Sequence, residues 1–123
     1  MAFIKDKIIA IDFDGTVVKH AYPIVGKDIG AVPILKKLIQ NNNKIILWTM
    51  RSGQELMDAV EWYQINNIPL FGININPEQK QWTTSRKAYA HLYIDDLSLG
   101  CPLKKEGFVD WDAIDFLLQN FDN

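Results

Sequence analysis

Hydrophobic residues fall along this chain in short runs rather than alternations. Ile8-Ile9-Ala10-Ile11 has no polar interruption, and a β-branched run of that kind predicts a strand buried on both faces. Lys44-Ile45-Ile46-Leu47-Trp48-Thr49 predicts a second strand, Ile68 to Ile73 a shorter third, and His91-Leu92-Tyr93-Ile94 a fourth. Helical spacing lies between them. Ile34, Leu35, Leu38 and Ile39 make one apolar face opposite Lys36 and Lys37, with Pro33 in the first turn and three asparagines, 41 to 43, at the end. Leu56, Ala59, Val60 and Tyr63 follow Ser52-Gly53-Gln54-Glu55, which matches a capping box, and Asn66-Asn67 closes that helix. Ile114, Leu117, Leu118 and Phe121 predict a last helix capped by Asp110 or Asp112. Residues 16–30, 74–86 and 100–107 lack periodicity and read as loops, the first with room for a small hairpin and the second for a helical turn.

The order strand, helix, strand, helix, strand, loop, strand, loop, helix predicts an α/β fold: a three-layer, Rossmann-like sandwich around a mostly parallel sheet, with helices on both faces. A chain of 123 residues suffices for one such domain, spanning 1–123, and not for two. In sheets of this kind the ligand site lies beyond the carboxyl ends of the strands.

Composition narrows the function. A net charge of −2 gives no electrostatic case for nucleic-acid binding. A single cysteine, Cys101, excludes an internal disulfide and a cysteine-based metal site, and reads as a packing residue before Pro102. Lys5, Asp6 and Lys7 precede a first apolar run too short for a signal peptide or a membrane span, so the cytoplasm is the expected compartment and no membrane partner is expected.

The chemistry sits at the predicted strand tips. Asp12 and Asp14 are one residue apart, and on an extended strand they would point to the same side. Like charges that close repel unless a cation sits between them. Gly15 then allows a sharp turn, although Asp-Gly after a strand is also a common hairpin turn. Thr49 ends the second strand, and Asp95 and Asp96 end the fourth. Carboxylates from two strands make an all-oxygen pocket suited to Mg²⁺. With a hydroxyl from Thr49, and with Lys87 reaching back from just before the fourth strand, the edge suits a phosphoryl group. An aspartate could then be the nucleophile, forming an aspartyl-phosphate that water hydrolyses.

The chain resembles the haloacid dehalogenase (HAD) superfamily, in its phosphatase branch. Ile9-Ala10-Ile11-Asp12-Phe13-Asp14-Gly15-Thr16 is similar to the first motif, Ile45-Ile46-Leu47-Trp48-Thr49 to the second, Lys87 to the third-motif lysine with Lys80 as a rival, and Leu92-Tyr93-Ile94-Asp95-Asp96 to the fourth. The resemblance implies a Mg²⁺-dependent phosphatase with Asp12 as nucleophile and metal ligand. It implies Asp14 as general acid and base, giving its backbone carbonyl to the metal, and Thr49 and Lys87 on the phosphate. Asp95 and Asp96 would complete the metal site. Gly15 and Arg51 join Thr49 and Lys87 as expected substrate contacts, and the loop after Gly15 would gate the site. Arg86, Asn74, Asn76, Lys19 and His20 read as ordinary loop residues near the same edge. Trp48, Trp62, Trp82 and Trp111 read as packing, with Trp82 exposed.

A receiver-like signalling domain uses the same chemistry in another order: there the acidic pair comes first and the acceptor aspartate sits on a middle strand. Here the second and third strands end without an aspartate. A catalytically silent phosphate- or metal-binding regulatory domain would keep the fold, yet every expected catalytic position is filled. Neither place where superfamily caps insert leaves room for a second core. The expectation is therefore a capless protein with an open site, serving a large substrate or covered by a second subunit of a homo-oligomer.

Overall fold

The computed structural model describes residues 2–123. Its central strand is β1, Ile8–Ile11, in which Ile9, Ala10 and Ile11 are fully buried. β2 (Lys44–Leu47) lies on one side and β4 (Leu92–Ile94) on the other, with β3 (Gly72–Ile73) beyond β2. The order is β3-β2-β1-β4 and every pairing is parallel. Burial on both faces explains why β1 carries no polar alternation.

The steps from β1 to β2 and from β2 to β3 run in one direction. Right-handed crossovers therefore put α1 (Ala31–Gln40) and α2 (Gly53–Ile65) on the same face. α3 (Trp111–Gln119) follows β4 and packs beside α1. Leu35, Leu38, Ala59, Tyr63, Trp111 and Ile114 join Ile9, Ile11, Ile45 and Leu47 in the main core. The step from β3 to β4 goes back across the sheet, so residues 74–91 cover the opposite face. There Ala88 and Ala90 pack on Ala10 and Ile46. The sandwich thus has three layers of unequal weight. The second outer layer holds no α-helix, against the expectation of helices on both faces; it is coil with one 3₁₀ turn, Gln79–Gln81, in keeping with the reading of residues 74–86 as a loop with room for a helical turn. Its residues contain Pro77 and lack the apolar repeat that a helix would need to bury.

Two local expectations shift, and one open alternative is decided. β3 is shorter than Ile68–Ile73: Ile68 N still donates to Tyr63 O of α2, Pro69 has no N–H to give, and sheet bonding begins at Phe71 N to Ile45 O (2.7 Å). Ser52 does occupy the N-cap of α2, but its side chain makes no capping bond. The helix starts from Gly53 at φ 53°, a left-handed entry that replaces the capping-box geometry. Asp110, not Asp112, caps α3, its Oδ1 accepting from Asp112 N and Ala113 N. Residues 16–30 do contain a small hairpin, held by Lys19 N to Lys27 O (2.9 Å) and Ile29 N to Val17 O (3.2 Å).

The two ends of the described chain meet at the pole where β1 begins. Phe121 N donates to Ala2 O (3.0 Å) and Ile4 N to Leu118 O (2.9 Å). Among the described residues, no helix is long and apolar enough to cross a membrane.

Candidate active site

The carboxyl ends of β1 and β4 bring three carboxylates together. Ile11 pairs with Ile94, and Asp12 N donates to Ile94 O (2.9 Å), so Asp12 stays on the ladder beside Asp95. One carboxylate oxygen from each of Asp12, Asp95 and Asp96 lies within 4.8 Å of the others. Thr16, fully buried, ties the group together. Its hydroxyl donates to Asp12 Oδ2 (2.7 Å) and accepts from Asp96 N (3.0 Å), while Trp111 Nε1 donates to Thr16 O (2.6 Å). Thr16 was legible only as the last letter of the first motif, yet it is the residue that joins the strands.

Burial pushes the Asp12 carboxyl up to about 7, and the charge of Asp95 adds to the rise, against the Thr16 hydrogen bond, which lowers it. Three converging carboxylates, one of them resisting ionisation because it is buried beside another, are a donor set that fits a hard divalent cation such as Mg²⁺.

Asp14 does not join this cluster. The strand ends at Ile11, the alternation lapses in the turn, and the Asp14 side chain faces Arg51 instead of sharing a side with Asp12. Arg51 Nε donates to Asp14 Oδ2 (2.8 Å) and Nη2 to Oδ1 (2.7 Å). Its remaining N–H groups go to the carbonyls of Pro23 (3.2 Å), Ile24 (2.8 Å) and Glu55 (3.1 Å). The guanidinium, nearly buried, lies 5.2 Å from the ring centroids of both Phe13 and Tyr22, and the Asp14 carboxylate holds it still more firmly protonated. Every donor of Arg51 is used within the chain, so in this arrangement it is an anchor between the hairpin and the site and not a substrate contact.

Thr49 lies with Asp12, Trp48, Met50, Asn74 and Asp95 around a hollow of about 290 Å³. Its hydroxyl accepts from Arg51 N (3.1 Å), which leaves its own proton for an anion. Asn74, read from sequence as a plain loop residue, pairs with Thr49 at both ends of its amide: Thr49 N to Oδ1 (2.8 Å) and Nδ2 to Thr49 O (2.9 Å). It sits at φ 57°, where asparagine is tolerated. The signal available for it was its place just after the third strand, at the same edge as the other tips.

Gly15, at φ 78°, has no room for a side chain, because a Cβ would meet His20 and Asp96. Its contribution is space: His20 Nε2 comes within 3.0 Å of Asp96 Oδ2 directly above it. From sequence alone His20, too, reads as an ordinary loop residue. Neither candidate lysine lines the acidic hollow. Lys87 lies over the thinly covered face, its Nζ 5.8 Å from the Tyr93 ring centroid. Its carbonyl is held by Gln79 Nε2 (2.9 Å) and its N–H by Ser85 Oγ (3.2 Å). Lys80 faces a separate cavity with Arg86.

No family model matches this sequence, and no curated protein matches it. A solved structure of a conserved protein from Bacteroides thetaiotaomicron is similar to this chain, with a TM-score of 0.74 and 40% identity over 88% of this chain and 85% of that one. Identity at that level over most of both chains means that this chain belongs to the same family as the conserved Bacteroides thetaiotaomicron protein.

Proposed function

We propose that this protein is a Mg²⁺-dependent phosphatase of the HAD type, acting on phosphoric monoesters through Asp12. The observation that carries the reading is the meeting of Asp12, Asp95 and Asp96 at the tips of adjacent parallel strands, on a chain whose motifs resemble that superfamily. A Mg²⁺ ion held by these carboxylates would neutralise the phosphoryl oxygens and the repulsion between substrate and protein. An Asp12 oxygen attacks phosphorus as the bond to the ester oxygen breaks, and Asp14 gives that oxygen a proton. Asp14 then takes a proton from water as the water oxygen attacks phosphorus, freeing Asp12 and inorganic phosphate. The Thr49 hydroxyl donates to a non-reacting phosphoryl oxygen.

To serve as acid and base, Asp14 would have to leave the Arg51 fork that holds it. The test is Mg²⁺-dependent hydrolysis of an aryl phosphate by the wild type and by Asp12→Asn. The variant changes charge but little volume, and loss of the nucleophile should lower kcat by about a thousandfold or more. Activity in the variant within about tenfold of wild type would remove Asp12 from the role.

A further inference from the structure

Beside the acidic hollow lies a second cavity of about 490 Å³, and Asn74 is a wall of both. That volume is within the range of small-molecule sites. Its charged lining is Lys80 and Arg86, and no carboxylate lines it. Neither cation takes part in a salt bridge among the described residues. The nearest acid in sequence, Glu78, turns to Lys44 (3.8 Å). On a chain of net charge −2 this is a local reversal of sign, set next to the three carboxylates.

The cavity wall is also braced. Asn76 and Gln79 are buried amides with every contact inside the loop. Asn76 Nδ2 donates to Tyr89 O (3.1 Å) and its Oδ1 accepts from Glu78 N (3.0 Å). Gln79 Nε2 donates to Ser85 O (3.1 Å) and Lys87 O (2.9 Å), and its Oε1 accepts from Tyr89 N (2.7 Å). Buried amides satisfied in this way fix the loop's shape before any ligand arrives, which lowers the ordering cost of binding. The Thr83 and Ser85 hydroxyls each accept from a backbone N–H two residues on and keep their own protons to donate.

We infer that this cavity is an anion subsite that seats the second negatively charged group of a small, doubly anionic phosphate ester, with Lys80 and Arg86 as its charge and the braced 79–88 loop as its wall. The inference rests on the phosphatase reading for what occupies the neighbouring hollow, but not for the binding itself. It gives an otherwise open phosphoryl site a second hold on its substrate, and so a basis for choosing one ester over another.

The test uses fructose 1,6-bisphosphate as a two-headed probe and EDTA-treated wild-type protein. Without a cation the Asp12, Asp95 and Asp96 cluster repels anions, so binding reports the cavity alone. Amide shifts followed by NMR should move at Asn76, Thr83, Thr84 and Ser85. Lys80→Gln with Arg86→Gln, both at exposed positions, should weaken binding about tenfold or more. Binding unchanged by the double variant, or shifts elsewhere, would overturn the subsite. Aryl phosphate turnover separates the two readings: failure of turnover with these shifts intact overturns the phosphatase and keeps the subsite, whereas turnover without the shifts does the reverse.

Discussion

At the residue scale, Asp12 and Asp14 have the same side chain and opposite surroundings. Asp12 is pressed by burial and by Asp95 until its carboxyl rises to about 7. In the folded, EDTA-treated protein it therefore keeps a proton that the unfolded chain has already released above its ordinary value of 3.8. Its stabilising contribution is complete below that value, declines as pH rises toward about 7, and is gone above. Urea unfolding across that window should show wild type losing stability relative to Asp12→Asn as pH rises; parallel curves would contradict the shift. Asp14, in contrast, lies in a guanidinium fork. If it is the general acid, Asp14→Asn should damage hydrolysis of an alkyl phosphate much more than of an activated aryl phosphate, whose leaving group needs less protonation. Equal losses in kcat on both substrates would reduce Asp14 to a partner for Arg51.

At the element scale, the hairpin within residues 16–30 is held to the domain by Arg51, through the carbonyls of Pro23 and Ile24. Arg51→Met should cost about 3 kcal/mol by leaving the Asp14 charge and three carbonyls without their partner. Amide exchange should quicken first at Lys19 and Ile29, whose N–H groups close the hairpin. Unchanged exchange there would mean the hairpin stands without its anchor. This anchor also marks where sequence reading stops. The strands and helices were legible because burial writes a period into the chain: β1 lies between two strands and is apolar throughout, and α1 alternates Leu35 and Leu38 with lysines. The cluster of Asp12, Asp95 and Asp96 was legible because parallel strands put their ends at one edge. The partners of Arg51, Asn74 and Lys87 were not, since loop residues with no period carry no sign of what they face. Arg51 meets Asp14 across 37 positions, and Lys87 has its carbonyl held by Gln79 and its Nζ near the Tyr93 ring, neither of which any local pattern encodes.

At the scale of the whole molecule, neither segment where a cap of the proposed HAD type would insert holds a second core: residues 16–33 fold back as the hairpin and run into α1, and residues 51–86 are spent on α2, β3 and the coil of the third layer. The acidic hollow is left with a fully exposed Met50 on its rim. A cation bound there should be measurable as stability, because it binds the folded state alone. At a hundred times its dissociation constant Mg²⁺ should add about 2.7 kcal/mol. Asp95→Asn and Asp96→Asn should each shrink that gain, and Ca²⁺, which asks for more ligands at longer distance, should sustain little turnover. A melting temperature indifferent to Mg²⁺ would argue against the metal site. The pairing of Ala2 with Phe121 and of Ile4 with Leu118 lies at the far pole from all of this. Joining residues 2 and 123 by a short glycine-serine linker, and reopening the chain in the exposed 104–107 turn, should give a circular permutant with the same fold. A protein tethered through residue 2 or residue 123 to a bead or a sensor surface should present its carboxylates outward, away from the support.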